Sequence, residues 1–130
     1  MRRIILMMLL AVVSSDVIAE WVEIGSSEAS TIYANPATIR KAGNRVKMWN
    51  LSDFKTAQMF MGNPNPYLSL NAQDEYDCKE KQLRGLAIIA HYENMGGGKV
   101  VASAHDPQKW NLYPPGTIGE VLWKFACGKR

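Results

Sequence analysis

The side chains of this 130-residue sequence that are most capable of chemistry are two cysteines and two histidines. Cys78 and Cys127 are the only cysteines, and no Cys-x-x-Cys pair of the redox-active kind is present. A zinc site would need closely spaced ligands, whereas these cysteines stand 49 positions apart with only His91 and His105 to assist. In an oxidising compartment such a pair predicts one structural disulfide, and we expect no metal site and no cofactor.

The histidines allow a catalytic hypothesis that the rest of the sequence does not support. Asp106 lies beside His105 and Glu93 lies near His91, but no Gly-x-Ser-x-Gly element presents a nucleophile. His91 alternates with Ile89 along a predicted strand, as an ordinary sheet histidine does. Haem ligation by a histidine is an alternative without a supporting motif. We therefore expect a protein that is not an enzyme.

A glycine-rich segment resembles a phosphate-binding loop only superficially. Residues 96–99 read Gly-Gly-Gly-Lys, without the Gly-x-x-x-x-Gly-Lys-Ser/Thr spacing, and they lead into a predicted strand where a phosphate loop would open a helix. The segment predicts a turn.

A basic hairpin turn is the candidate binding site. Lys79, Lys81 and Arg84 surround a predicted turn and are interleaved with Glu80, so they could contact an acidic partner such as a glycan or a matrix protein. A solvated turn without a partner is the alternative. Trp110, between two proline-containing segments, is placed either to cover a sheet edge or to face a ligand.

These residues must be positioned by a fold that the hydropathy pattern predicts to be mainly β. The alternation of polar and apolar residues and the turn signals predict six strands. Asn35-Pro36 is expected to end the second strand, and a helical or turn segment is expected over 37–41. The predicted strands are 20–24, 30–34, 45–54, 67–78, 83–93 and 99–104.

The end of the chain predicts a helix. Thr117 and Glu120 have the spacing of a capping box, and Gly128 suits a left-handed position after the last turn. One apolar stripe follows helical spacing at Ile118, Val121, Leu122 and Phe125. The fold class is therefore α+β: an antiparallel sheet of about six strands with one C-terminal helix packed on it and one disulfide.

The first nineteen residues predict an export signal. Arg2 and Arg3 precede an unbroken apolar run of ten residues, and Val17-Ile18-Ala19 forms a small-residue cleavage site. The run is too short to span a bilayer, which needs about 20 apolar residues. No cysteine follows Ala19, so no lipid attachment is expected there. We expect a signal peptide over 1–19 and an exported domain over 20–130, without a membrane span after cleavage.

The composition of the predicted mature chain sets limits on size and partners. Its 111 residues are enough for one domain, and 13 basic and 11 acidic residues leave it nearly neutral. A nucleic-acid-binding protein would show a concentrated basic face, so we expect no nucleic-acid partner. The oligomeric state is left open.

The mature chain resembles the bacterial surface-adhesin protein E family over nearly all of residues 20–129. The opening Glu-Trp-Val-Glu-Ile-Gly at 20–25 and the block Tyr-Asp-Cys-Lys-Glu at 76–80 belong to this resemblance. Further segments that share it, in order and spacing, are 33–40, 46–49, 94–101, Trp110, 115–124 and 127–129.

The resemblance implies an exported, non-enzymatic domain whose disulfide matches Cys78 and Cys127. Adhesive members of the family sit on pathogen surfaces and bind host matrix proteins such as vitronectin and laminin. Plain members resemble small periplasmic proteins without an assigned role. In the adhesive members the segment that leads into the strand before the first cysteine is basic, whereas residues 62–67 here include no Lys or Arg, so the chain resembles the plain form. The resemblance therefore implies the periplasm or the cell surface of a Gram-negative bacterium, and two functions: matrix adhesion, or an envelope function without a host ligand.

Overall fold

The computed structural model describes residues 20–128, so the predicted signal peptide lies outside the described residues. Within that range, seven strands precede one α-helix. The elements are β1 (Val22–Ser26), β2 (Ser30–Ala42), β3 (Arg45–Gln58), β4 (Tyr67–Asp77), β5 (Gln82–His91), a 3₁₀ turn (Asn94–Gly96), β6 (Val100–Ala104), β7 (Asn111–Leu112) and α1 (Ile118–Cys127).

The strands form one antiparallel sheet in which each long strand pairs with its neighbour in sequence. The order is β1-β2-β3-β4-β5-β6, and the two-residue β7 also pairs with β5. Because neighbours in sequence are neighbours in space, two hairpin turns, β2–β3 and β4–β5, lie at the same end of the sheet. The predicted α+β fold is confirmed, with β7 as a small addition.

The helix packs on one face of the sheet and forms the main core with it. Its buried side chains are Leu122, Trp123 and Ala126, whereas Ile118 and Val121 on the predicted stripe are about 40% exposed. The buried stripe is therefore rotated from the prediction, because the sheet contacts the side of the helix that carries the large Trp123 ring. The buried sheet residues in this core are Ala34, Val46, Met48 and Tyr76.

The ends of the helix confirm one sequence signal and correct another. Gly128 adopts a φ of 69°, and its N–H bonds the carbonyls of Lys124 and Phe125, as a left-handed helix end requires. At the start, the reciprocal capping box is absent. The Thr117 hydroxyl donates to the Pro114 carbonyl, and Glu120 accepts from the Gly116 N–H.

The second strand continues through Asn35-Pro36, so the predicted break and helical segment over 37–41 are wrong. The pairing of β2 with β3 shifts register between Asn35 and Arg40, which places Pro36, a residue without an N–H, in the irregular part. The Thr38 hydroxyl accepts a hydrogen bond from the Trp49 N–H at 2.9 Å and donates to the Asn35 carbonyl. Side chains therefore replace ladder bonds there, and the strand resumes.

The sheet face opposite the helix is covered only in part. Over its far end lies the glycine segment, residues 94–98, whose Met95 and Gly96 N–H groups bond Asp53 and Ser69. At the hairpin end, Trp110 lies over this face beside Arg45 and Arg84. The two hairpin turns project from this end, where the candidate binding residues lie.

Candidate binding surface

The predicted disulfide joins the hairpin turn to the helix. Cys78 and Cys127 are bonded, with their Cα atoms 5.6 Å apart, which confirms the predicted pairing. The Trp123 indole N–H donates to the Asp77 carbonyl at 2.8 Å, and the Cys78 N–H donates to Asn44 of the neighbouring turn at 2.8 Å. The β4–β5 turn is therefore held by the helix on one side and by the β2–β3 turn on the other.

Asp77 organises this turn from within. Its Oδ1 accepts the N–H groups of Lys79 and Glu80, both at 3.0 Å. These hydrogen bonds, led by the one from Glu80, favour the charged carboxylate and lower the pKa of Asp77. Lys81 closes the turn at a φ of 54°, with its N–H bonded to the Asp77 carbonyl.

The structure brings two of the three predicted contact residues together. Lys79 and Lys81 are both exposed on the turn, and neither forms an ion pair within residues 20–128. Their ammonium groups are therefore available to a partner, on a backbone that is already ordered.

Arg84 differs from the two lysines because it is bound within the sheet. Its guanidinium contacts Glu75 through Nη2 at 2.7 Å and Nε at 2.8 Å, and only 26% of the side chain is exposed. Its Cζ also lies 4.8 Å from the centre of the Trp110 ring. Arg84 can add charge to the surface, but it has less freedom to meet a ligand.

Trp110, in the segment between β6 and β7, lies against two arginine side chains of the sheet. The Cζ of Arg45, on β3, lies 5.2 Å from the same ring centre. Stacking on an aromatic ring holds a guanidinium in place while its N–H groups stay free for an anion. Arg45 was not among the predicted site residues, since its contact with Trp110 joins positions far apart in the sequence.

Arg45 belongs to a larger cationic region, which we call the basic end and define as residues 40–47 and 75–84. Seven basic and three acidic side chains lie in these two ranges, whereas the rest of residues 20–128 holds four basic and eight acidic side chains. Of the three acidic groups, Glu75 is paired with Arg84 and Asp77 is bonded to the turn backbone. The exposed cations are Arg40, Lys41, Arg45, Lys47, Lys79 and Lys81.

The chemistry that this region can perform is the binding of anions. Several exposed ammonium and guanidinium groups on a fixed backbone attract negatively charged ligands by Coulomb forces that salt weakens.

The two histidines lie outside the basic end. His91 is on β5, opposite Ser69, with an Nδ1 that is buried and makes no hydrogen bond, whereas His105 is exposed after β6. Within residues 20–128, no group of three His, Cys, Asp or Glu side chains is arranged to hold a metal ion. Residues 96–98 form part of a turn that leads into β6.

A half-buried acidic group, Asp74, adjoins the core near the basic end. Asn50 donates to the Asp74 carboxylate at 2.7 Å. Burial raises the pKa of Asp74, and the hydrogen bond from Asn50 offsets this only in part. Burial also raises the pKa of Tyr76, with a further contribution from the nearby charge of Asp74. Asp74 and Tyr76 therefore form a polar element at the margin of the core.

No helix within residues 20–128 has the length and the apolar character that crossing a bilayer requires.

Comparison with known proteins gives one family and one fold. The family model for surface-adhesin protein E matches residues 21–128. No curated protein matches the sequence. One crystal structure of Haemophilus influenzae protein E superposes with a TM-score of 0.66 at 13% identity, covering 87% of each chain. A second crystal form gives 0.63 at 10% identity, covering 86% of this chain and 97% of the other. At this identity, the structural match describes the fold.

Proposed function

This chain belongs to the surface-adhesin protein E family, and on that basis we propose that it is an exported binding domain that attaches to host matrix proteins through its basic end. Vitronectin and laminin are the proposed ligands. Lys79, Lys81 and Arg84 are the proposed contacts, with the two lysines meeting the ligand directly and Arg84 contributing charge from the edge of the turn. No catalytic step is involved.

The observation that supports this proposal is a pair of exposed, unpaired lysines on a turn whose backbone is held in place. The disulfide, the Trp123 hydrogen bond and the Asp77 carboxylate fix the turn that carries Lys79 and Lys81. The backbone of the turn is therefore already in place, so the protein loses less conformational entropy on binding than it would with a flexible loop. Only the two lysine side chains have to be ordered.

Binding of oxidised protein, residues 20–130, to immobilised vitronectin and laminin at physiological salt tests the proposal. We expect saturable binding that weakens with added salt. The variant K79S/K81N should lose most of it, with Asn chosen at 81 because that residue tolerates a positive φ. The control K55S/K99S removes the same charge from the rest of the chain and should bind like the wild type. Failure of the wild type to bind either protein at micromolar concentration would contradict the proposed ligands.

An envelope function without a host ligand is the second candidate, and one observation favours it. Residues 62–67, which lead into β4, include no Lys or Arg. Protease treatment of intact cells separates the two functions. A surface adhesin is digested, whereas a protein confined to the periplasm survives until the outer membrane is opened.

A further inference from the structure

We propose that the basic end recognises sulfated glycosaminoglycan chains, through the sulfate and carboxylate groups that these polymers carry at regular intervals. This inference rests on the proposed function, because it specifies the chemical class of ligand that the same surface would bind. It adds to the three predicted contacts four basic residues of the neighbouring hairpin: Arg40, Lys41, Arg45 and Lys47.

The charged region extends across the ends of four adjacent strands. The Cys78 N–H bonds Asn44, and Arg45 pairs with Asp77, so the two turns lie side by side. The four strands that end there, β2 to β5, are adjacent and extend across about 14 Å at the usual spacing of strands. A linear polyanion lying across these strand ends would meet cations from both hairpins.

The guanidinium of Arg45 lies beside the Trp110 ring and is suited to bind an oxyanion. Its side chain is exposed, lies over Trp110 and forms no ion pair within residues 20–128. The planar fork of a guanidinium donates two parallel hydrogen bonds to a tetrahedral oxyanion, and stacking reduces the entropy lost when it does so. A sulfate group has the geometry that this fork requires.

The two turns of the basic end are better suited to a glycan than to an acidic peptide. Extended peptides bind along a free strand edge or place apolar side chains in a groove. At this surface the strands end in turns, and the turn residues 42–45 and 78–81 include no large apolar side chain. The two turns therefore offer charge without an apolar groove or a free strand edge that would select an extended peptide.

Affinity for heparin, measured by titration of the oxidised protein (residues 20–130), tests the inference. The variant R45S/K47S leaves Lys79 and Lys81 untouched. It should bind heparin at least about tenfold more weakly, with the slope of log affinity against log salt reduced by about two. K55S/K99S should match the wild type. R45K keeps the charge but loses the guanidinium fork, whereas the single variant R45S loses both. The affinity of R45K for heparin should therefore fall between those of the wild type and R45S.

The competing ligands are poly-glutamate, desulfated heparin, duplex DNA and vesicles of phosphatidylglycerol. Binding to heparin that exceeds binding to all four supports the inference. Equal binding to any of them, or an R45S/K47S variant with wild-type affinity for heparin, overturns it. Vitronectin and laminin binding is measured on the same proteins. Matrix binding without heparin binding defeats this inference alone, and heparin binding without matrix binding defeats the proposed host ligands alone.

Discussion

At the scale of single residues, Arg84 and Lys79 show how similar charges can have different roles. Both lie at the predicted basic turn, but Arg84 is paired with a glutamate that is only 6% exposed, whereas Lys79 has no partner among residues 20–128. The sequence predicts the charge of both residues. It cannot predict the pairing of Arg84 with Glu75, because that pairing depends on the register of β4 and β5.

Arg84→Ser should therefore destabilise the fold. Loss of the guanidinium leaves the buried Glu75 carboxylate unpaired, which should lower the free energy of unfolding by about 2 kcal/mol. Urea denaturation measures this, with Lys79→Ser as the control that should change little. Adding Glu75→Gln to Arg84→Ser should recover part of the loss, since the buried charge is then removed. Equal stability of the Arg84 and Lys79 variants would show that the ion pair contributes nothing.

The Asp77 carboxylate should make stability depend on pH. Its pKa is lower in the folded state than in the unfolded chain, so its stabilising effect is present above the unfolded pKa and is lost as pH falls through the folded pKa. Asp77→Asn lacks this titration. The stability gap between wild type and variant, from thermal unfolding between pH 7 and pH 2, should be largest at neutral pH and should narrow below about pH 4. A gap that stays constant over this range would refute the assignment.

At the scale of elements, the disulfide links the two parts of the fold that the sequence predicts most clearly. The β4–β5 hairpin follows from its apolar strands and polar turn, and the helix follows from its apolar spacing and its final glycine. Their mutual contact could be predicted only through the cysteines. The rotation of the helix could not, because it depends on how the Trp123 ring fits against the sheet.

Removing the disulfide should weaken the fold and the binding surface together. The variant C78S/C127S should lose about 4 kcal/mol of unfolding free energy by loop-closure entropy. The turn should also become less ordered, so binding to matrix proteins should weaken although every cation remains. Chemical denaturation and the binding titration measure the two effects on the same sample. Wild-type stability in the double variant would contradict the loop-closure argument.

The irregular part of β2 provides a second test at this scale. Thr38 is 11 positions from Trp49, and its hydroxyl replaces a ladder acceptor only because the two strands pair. The proline predicts a strand end, because local sequence patterns carry no information about a hydrogen bond between distant positions. Thr38→Val keeps the shape and leaves the Trp49 N–H unpaired, which should cost about 1–2 kcal/mol in urea denaturation. Thr38→Ser, which keeps the hydroxyl, should cost less, and equal losses would show that the hydrogen bond is unimportant.

At the scale of the whole molecule, the fold separates charges that the composition balances. The mature chain is close to neutral, but the basic end holds more than half of the basic side chains in residues 20–128. The net charge therefore describes the whole chain correctly but does not reveal that one surface is cationic. The separation arises because two hairpins that are distant in sequence place their turns side by side, which no local pattern reports.

Amide hydrogen exchange of the oxidised protein, with and without saturating heparin, tests most directly whether the basic end is the binding surface. We expect slower exchange at the two turns, 42–45 and 78–82, with little change in the glycine segment 94–98 or along β6. Protection confined to 94–98 or β6, or no protection at either turn, would contradict it.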